Sequence, residues 1–437
     1  MIEQPAFGQR AKEIRRSRSL SQEDVAGGDI SPSYVSLVES GRRIPSVRAA
    51  GVIAERLGVA LDELCAPEPR EQARSNRIEL VGQLVAARSC HLAGDLRLAR
   101  AQLETFLENA VGTGVEELRW EALWELATVL GKLHEAEGHE RMLKALLADQ
   151  ITVSAPLLRA RVNTELAVML KNTGRLTEAV APAEEAVRDT GGLEGTRAEH
   201  IQARVTLLSV YTDTGEWHRN HELGEELYRH ADGLPEGRLK ATLFWAVGGS
   251  RYLERHPDDA RGLLARAAES LGTQADPATR TRLTSARVLL AHATGHTGEA
   301  RELLEAHRHD MESTDPTDRA WLTVLGLTLG VPVPGADGRT DSDPREDWSV
   351  LPPLDRARCT MLLARARRTA GTADTAVTAE AAFRDAAARY EKAGAYRLAM
   401  AAWRELEDGT DASGTDAGGE PVTGKATEPD AHSLLMP

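Results

Sequence analysis

Residues 21–46 read SQEDVAGGDISPSYVSLVESGRRIPS. Ser21 opens a capping box in which Asp24 stands where Glu or Gln is usual, so a short helix runs through Ala26. Gly27, Gly28 and Asp29 break it. Ser31-Pro32 is an N-cap followed by proline at the first helical position, and the next helix continues through Ser40 until Gly41 stops it. Pro45-Ser46 begins a fourth helix with apolar residues at Val47, Ala50, Ile53, Ala54 and Leu57. LDEL at 61–64 begins a fifth. Upstream, FGQRAKEIRRSR at 7–18 places Phe7, Ala11 and Ile14 on one helical face, with Arg10, Arg15, Arg16 and Arg18 outside it. The spacing predicts five short helices packed into one small domain over residues 1–70.

These residues carry a resemblance. The ordered run from Ser21 through IAERLGV to LDEL resembles the Xre/Cro/C1-type helix-turn-helix. That family docks its second motif helix in the major groove of double-stranded DNA. The resemblance implies that Pro32, Ser33, Ser36 and Leu37 face base edges, with Tyr34 at the margin and Ser31, the N-cap, also in the DNA-binding set. It implies that Gln22 touches a phosphate or the first base, and that Arg42 and Arg43 hold the backbone. Val35, Val38 and Glu39 read as scaffold. The reading helix holds no Arg, Lys, Asn or Gln, so hydroxyls, thymine-methyl contacts and DNA shape must carry more of the discrimination than bidentate hydrogen bonds. One departure stands out: the stretch between Ala26 and Ser31 is a residue shorter than the family norm and lacks its buried Leu.

From about residue 72 a helix–turn–helix unit recurs. Its turns fall at Gly94-Asp95-Leu96, around His134, at Gly174-Arg175-Leu176, Gly215-Glu216-Trp217, around His256 and at Gly295-His296, at intervals of 40, 40, 41, 41 and 39 residues. A small residue follows most turns by about five (Ala99, Ala179, Ala260, Ala300), where two helices cross closely. The pattern resembles the tetratricopeptide repeat in a lengthened form, over 72–330 and again over 354–407. The fold expected is all-α, a five-helix helix-turn-helix domain followed by a superhelical tetratricopeptide-like solenoid at 71–407. Residues 331–348 read as a mobile loop and 408–437 as a disordered tail, on their Pro, Gly and Asp content.

Composition agrees. Aromatics make up 4% of the 437 residues, and Ala, Leu, Arg and Glu dominate. The net charge of −14 falls on the repeats, because residues 1–70 hold ten Lys/Arg and ten Asp/Glu. An acidic body repels DNA, which assigns nucleic-acid contact to the N-terminal module. No apolar run is long enough to span a bilayer and none marks a signal peptide, so the chain is read as cytoplasmic, with no membrane partner. Cys65, Cys90 and Cys359 show no ligand spacing and read as reduced structural thiols. HEAEGH at 134–139 sets its histidines five apart, about 140° around a helix, which cannot share a metal. His218/His221 and His292/His296 have workable spacing, but each pair sits on a repeat turn and is expected to lack a carboxylate or Cys partner, so they read as solvated histidines. Phosphate-loop, dinucleotide and nucleophile-elbow motifs are absent. No enzyme, cofactor or metal is expected.

The first helix of each repeat lines the inner face of such a stack. Projecting the register from the turns places Arg161, Glu165, Val168, Lys171 and Asn172 there, then Gln202, Thr206, Ser209 and Asp213, then Arg282 and Ser285. These side chains could hydrogen-bond an extended peptide backbone, with Lys171, Arg161 or Arg282 meeting a carboxylate. A helix-turn-helix fused to lengthened repeats resembles the bacterial quorum-sensing regulators that bind short signalling peptides. That resemblance implies a homodimer on a two-fold operator, with a peptide in the repeat groove altering how the two heads are presented. Two other readings stay open: control by a protein partner, as for an antitoxin, and a repeat scaffold whose helix-turn-helix has degenerated.

Overall fold

A computed structural model describes residues 4, 6–65, 69–111, 114–192, 197–272, 276–307, 316–332, 348, 351–369 and 373–411. Among these residues the chain is all-α. It divides into two compact units, Met1–Glu125 and Leu126–Pro437.

The first unit opens with α1 (Ala6–Ser17), α2 (Gln22–Ala26), α3 (Pro32–Glu39), α4 (Val47–Leu57) and α5 (Leu61–Cys65). The caps do what the sequence asked of them. Ser21 Oγ accepts from Asp24 N and Ser21 N donates to the Asp24 carboxylate (2.7 Å), which holds that carboxyl below its usual range through the Ser21 hydrogen bonds. Ser31 Oγ accepts from Tyr34 N, and Ser46 Oγ from Ala49 N. Phe7, Ala11, Val25, Val35, Val38, Ile53, Leu57 and Leu64 form one core. Gly8 lets α1 lie directly against the end of α3, where any Cβ would run into the Val38 carbonyl oxygen.

The repeats follow as helix pairs: α6 (Pro69–Leu92) with α7 (Leu96–Asn109), and α8 (Glu116–Lys132) with α9 (Ala136–Ala148). The short α10 (Gln150–Ser154) leads to α11 (Pro156–Asn172) with α12 (Leu176–Thr190), then α13 (Arg197–Thr214) with α14 (Trp217–Ala231). Next come α15 (Arg238–Leu253) with α16 (Pro257–Leu271), and α17 (Pro277–Ala293) with α18 (Thr297–His307). Each first helix ends on a residue in the left-handed region: Gly94, His134, Gly174, Gly215, Arg255 and Gly295. The next N–H then reaches back five residues to a free carbonyl, as in Arg175 N to Leu170 O (2.8 Å) and His296 N to Ala291 O (2.8 Å). This six-to-one bond satisfies carbonyls the helix end leaves orphaned and turns the chain into the second helix. The fifth turn pivots on Arg255 and not on His256, which makes the period more even than the sequence intervals suggested.

Five residues past the pivot, Ala99, Ala179, Ala260 and Ala300 are fully buried where the helices cross. After α18 come α19 (Pro316–Leu329), which ends on Gly330 with the same cap, then α20 (Pro353–Thr369), α21 (Ala373–Ala393) and α22 (Tyr396–Asp411). The proposed loop at 331–348 lies mostly outside the described residues, but Val331 and Trp348 are buried at its ends. Of the proposed tail, 408–411 belong to α22 and the rest lies outside the described residues.

Candidate DNA-binding face and ligand groove

The second motif helix, α3, buries Val35, Val38 and Glu39 and leaves Ser31, Pro32, Ser33, Ser36 and Leu37 exposed on one side. Tyr34 is half-buried at the edge, and the Arg43 guanidinium lies 5.1 Å from its ring centroid. The loop after α3 is fixed by its backbone. Arg42 N and Arg43 N both donate to Leu37 O (3.0 and 3.2 Å), and Gln4 Nε2 donates to Arg43 O (2.9 Å). Arg42 and Arg43 thus extend from a held backbone into solvent, and a guanidinium fork suits phosphate oxygens.

Glu39 does more than fill space. Arg15 Nε and Nη2 donate to its two oxygens (2.6 and 3.0 Å), and Gln22 Nε2 donates to Oε2 (2.8 Å). Burial pushes the Glu39 carboxyl up, but the hydrogen bonds from Arg15 and Gln22 and the charges of Arg15 and Lys12 outweigh it and hold the carboxyl low. Gln22 is therefore anchored through one N–H, which fixes its amide at the N-terminus of α2. The short turn is also complete. Gly27 and Gly28 take φ of 56° and 88°, Asp29 N and Ile30 N donate to Ala26 O, and Arg56 Nη2 donates to Asp29 Oδ2 (3.2 Å). Ile30 packs on the core and supplies an apolar residue to the turn that lacks the family's buried Leu.

The repeat array distributes the inner-face candidates unevenly. On α11, Arg161 and Asn172 are exposed, and Glu165 and Val168 are half-buried. Glu165 keeps 43% of its side chain in contact with solvent, yet the protein around it desolvates the carboxyl and pushes it up, against the pull of Arg161. Lys171 Nζ donates to Ser209 Oγ (2.6 Å), so these two candidates pair with each other. Gln202 is exposed, whereas Thr206, Ser209 and Ser285 are buried. Arg282 Nε donates to the buried Asp318 (2.7 Å).

Asp213 is not a groove residue. Its carboxylate accepts from Arg358 Nη2 on α20, 145 residues away in the chain, and both side chains are buried. Arg358 Nη1 also donates to Asp355 Oδ1 (3.2 Å). Around this pair the C-terminal helices meet the ends of the third and fourth repeats. Arg397 lies 4.0 Å from the Trp217 ring centroid, and a Cβ built on Gly174 would touch Ala393 and Pro353. No sequence spacing announced this contact.

Residues 12–64 match the Helix-turn-helix family. The N-terminal domain is a helix-turn-helix. Among solved structures, the chain is similar to a Rap protein complexed with competence and sporulation factor, at 13% identity over 93% of this chain and 97% of that one, with a TM-score of 0.50. It is also similar to the apo form of the quorum sensor NprR from B. thuringiensis (11% identity, 91% and 99% covered, TM-score 0.44). Bacillus thuringiensis PlcR in complex with the peptide PapR7 and DNA matches at 13% identity, 61% and 94% covered, TM-score 0.33. The Rap likeness shows a shared helical-repeat fold. No curated protein matches the chain.

In helix-turn-helix domains the second motif helix is the one that enters the major groove, and here that helix is α3. Elsewhere, two histidines read as lacking carboxylate partners have them: His218 Nε2 stands 3.4 Å from Glu222 and His221 Nδ1 3.1 Å from Glu254. Among the described residues no group of three His, Cys, Asp or Glu could hold a metal, the three cysteines are unpaired, and no helix is long and apolar enough to cross a membrane.

Proposed function

We propose that this chain is a homodimeric transcription regulator whose two helix-turn-helix heads bind a two-fold operator and whose repeats bind a short regulatory peptide. The observation that carries the reading is the exposed α3 face, Pro32, Ser33, Ser36 and Leu37, flanked by Arg42 and Arg43 on a pinned loop. Half-sites then lie about 34 Å apart, one helical turn of DNA. The arginines grip phosphate and the hydroxyls and Leu37 meet base edges, so affinity is steeply salt-dependent and specificity leans on spacing and shape. The completed turn at 27–30 favours a working reader over a degenerate one.

The ligand reading is supported by the open stretch of α11, where Arg161, Glu165 and Asn172 remain accessible, with Gln202 also exposed at the start of α13. It is supported too by the Rap protein, whose similar fold was solved with competence and sporulation factor bound. A ligand changes DNA binding only through different affinity for two arrangements of the dimer. Footprinting on promoter DNA, including the gene's own, tests the whole. A paired protected site that disappears in Arg42→Ala/Arg43→Ala is expected; no protected site anywhere refutes the reading.

A further inference from the structure

His139 stands at the helix-crossing position that alanine fills at 99, 179, 260 and 300. Gly131 on α8 makes room for it: a Cβ there would lie 2.9 Å from His139 Cε1. Asn220 holds the same position in the fourth repeat, where its polar atoms are all used. Its Nδ2 donates to Leu208 O and Thr212 Oγ1, and its Oδ1 accepts from Ser250 Oγ. His139 is buried as deeply as a core residue, yet its Nε2 is sealed and makes no hydrogen bond. Glu165 Oε1 lies 3.8 Å from that nitrogen, too far for a hydrogen bond. Burial pushes the imidazole pKa down, which favours the neutral ring. A position built for a methyl group thus carries a ring whose polar atom is unsatisfied, and local rules are broken without compensation chiefly where a protein binds something.

We propose that Glu165 and His139 together form a site for a primary ammonium group, the chain-terminal or lysine ammonium of the ligand held by the repeats. One nitrogen can sit about 2.8 Å from both Glu165 Oε1 and His139 Nε2, since those atoms are 3.8 Å apart. It would donate one N–H to the carboxylate, one to the neutral imidazole, and keep the third for solvent. The Glu165 side chain, part exposed, is the solvent side of the pair, so the incoming group reaches the carboxylate first and must displace what covers Nε2 to engage the imidazole. Arg161, one turn earlier on α11, pulls the Glu165 carboxyl down and is the cation an incoming ammonium would compete with.

This inference rests on the proposal that the repeats hold a ligand, and its test needs neither the ligand nor DNA. Full-length protein labelled with 15N-histidine is titrated with n-butylammonium chloride, the His139 signal being assigned by its loss in His139→Gln. A saturable shift of His139 Nε2 is expected, at least about tenfold weaker in Glu165→Gln, and missing with tetramethylammonium, which has no N–H to donate. Circular dichroism checks that Glu165→Gln keeps the helical fold; should it unfold, Glu165→Asp, which withdraws the carboxylate by one methylene, replaces it. No saturable shift up to about 100 mM, or an equal shift with tetramethylammonium, overturns the site. A footprint that persists alongside that result leaves the regulator intact and removes only the ammonium site.

Discussion

Replacing Arg358 by Met sets a buried cation against its two anions. Arg358 is 1% exposed in the middle of α20, donates to Asp213 and Asp355, and has one guanidinium nitrogen, Nε, without a partner. Burial alone would favour losing the proton, but the Asp213 and Asp355 carboxylates more than offset it and the guanidinium stays charged. Removing it strands both carboxylates in a dry site, at a cost of about 3–5 kcal/mol. Asp213→Asn leaves Asp355 and an amide oxygen in place and should cost less, about 1.5–3 kcal/mol. Replacing all three by apolar residues of similar volume removes every buried charge and should recover most of the loss. Urea unfolding followed by tryptophan fluorescence suits the measurement, because Arg397 stacks on Trp217 beside the same contact. Arg358→Met within about 0.5 kcal/mol of the parent, or Asp213→Asn costing more than Arg358→Met, refutes the reasoning.

Gly8→Ala forces a Cβ into the Val38 carbonyl, so α1 and α3 must part; hydrogen exchange in both helices should quicken and DNA affinity should fall with it. Glu39→Gln should cost about 3 kcal/mol at neutral pH, because it leaves the Arg15 guanidinium half-paired in a buried place. Since the folded Glu39 carboxyl is held below its unfolded value of about 4.3, its contribution is complete above that value and is lost as pH falls through the folded one. Acid titration of the helix-turn-helix by circular dichroism should show that loss in the parent and a flatter curve in Glu39→Gln. His134→Gly and Arg255→Gly, at φ of 58° and 67°, relieve left-handed strain and should each gain up to about 1 kcal/mol in thermal unfolding. Gly174→Ala, at φ 76° with Ala393 close by, should lose stability instead.

What the sequence made legible was local. Capping at Ser21, Ser31 and Ser46, and glycines at four of the six pivots, mark helix ends through bonds that span six residues or fewer, so the residues that form them lie side by side. His134 and Arg255 do the same work without the glycine, which is why the fifth pivot reads one residue late from the sequence. Glu39 looks like an ordinary acidic residue among apolar ones, and nothing nearby says that it holds Gln22. The Asp213–Arg358 pair is the extreme case. Its halves are 145 residues apart, and the available hint was a helix, PLDRARCTMLL, that places Asp355 and Arg358 a turn apart among apolar residues with no polar face for them.

The same register that defines the groove shows where it is open. Counting back 13, 9, 6 and 2 residues from each pivot gives Arg161, Glu165, Val168 and Asn172 in the third repeat, all at least partly exposed. In the fourth, fifth and sixth repeats the two middle positions are Thr206 and Ser209, Ala246 and Gly249, and Ala286 and Leu289, all buried. Small and apolar residues at those positions suit contact with protein, whereas the charged set on α11 suits a polar guest. A ligand that reaches Glu165 therefore works one repeat away from the Asp213–Arg358 contact, and Lys171 on α11 already touches Ser209 on α13. If ligand binding shifts the array, that hydrogen bond is a direct polar link from α11 to the helix that carries Asp213. Lys171→Met should leave ammonium binding at Glu165 intact while uncoupling it from Trp217 fluorescence; a fluorescence response unchanged in Lys171→Met would rule the link out.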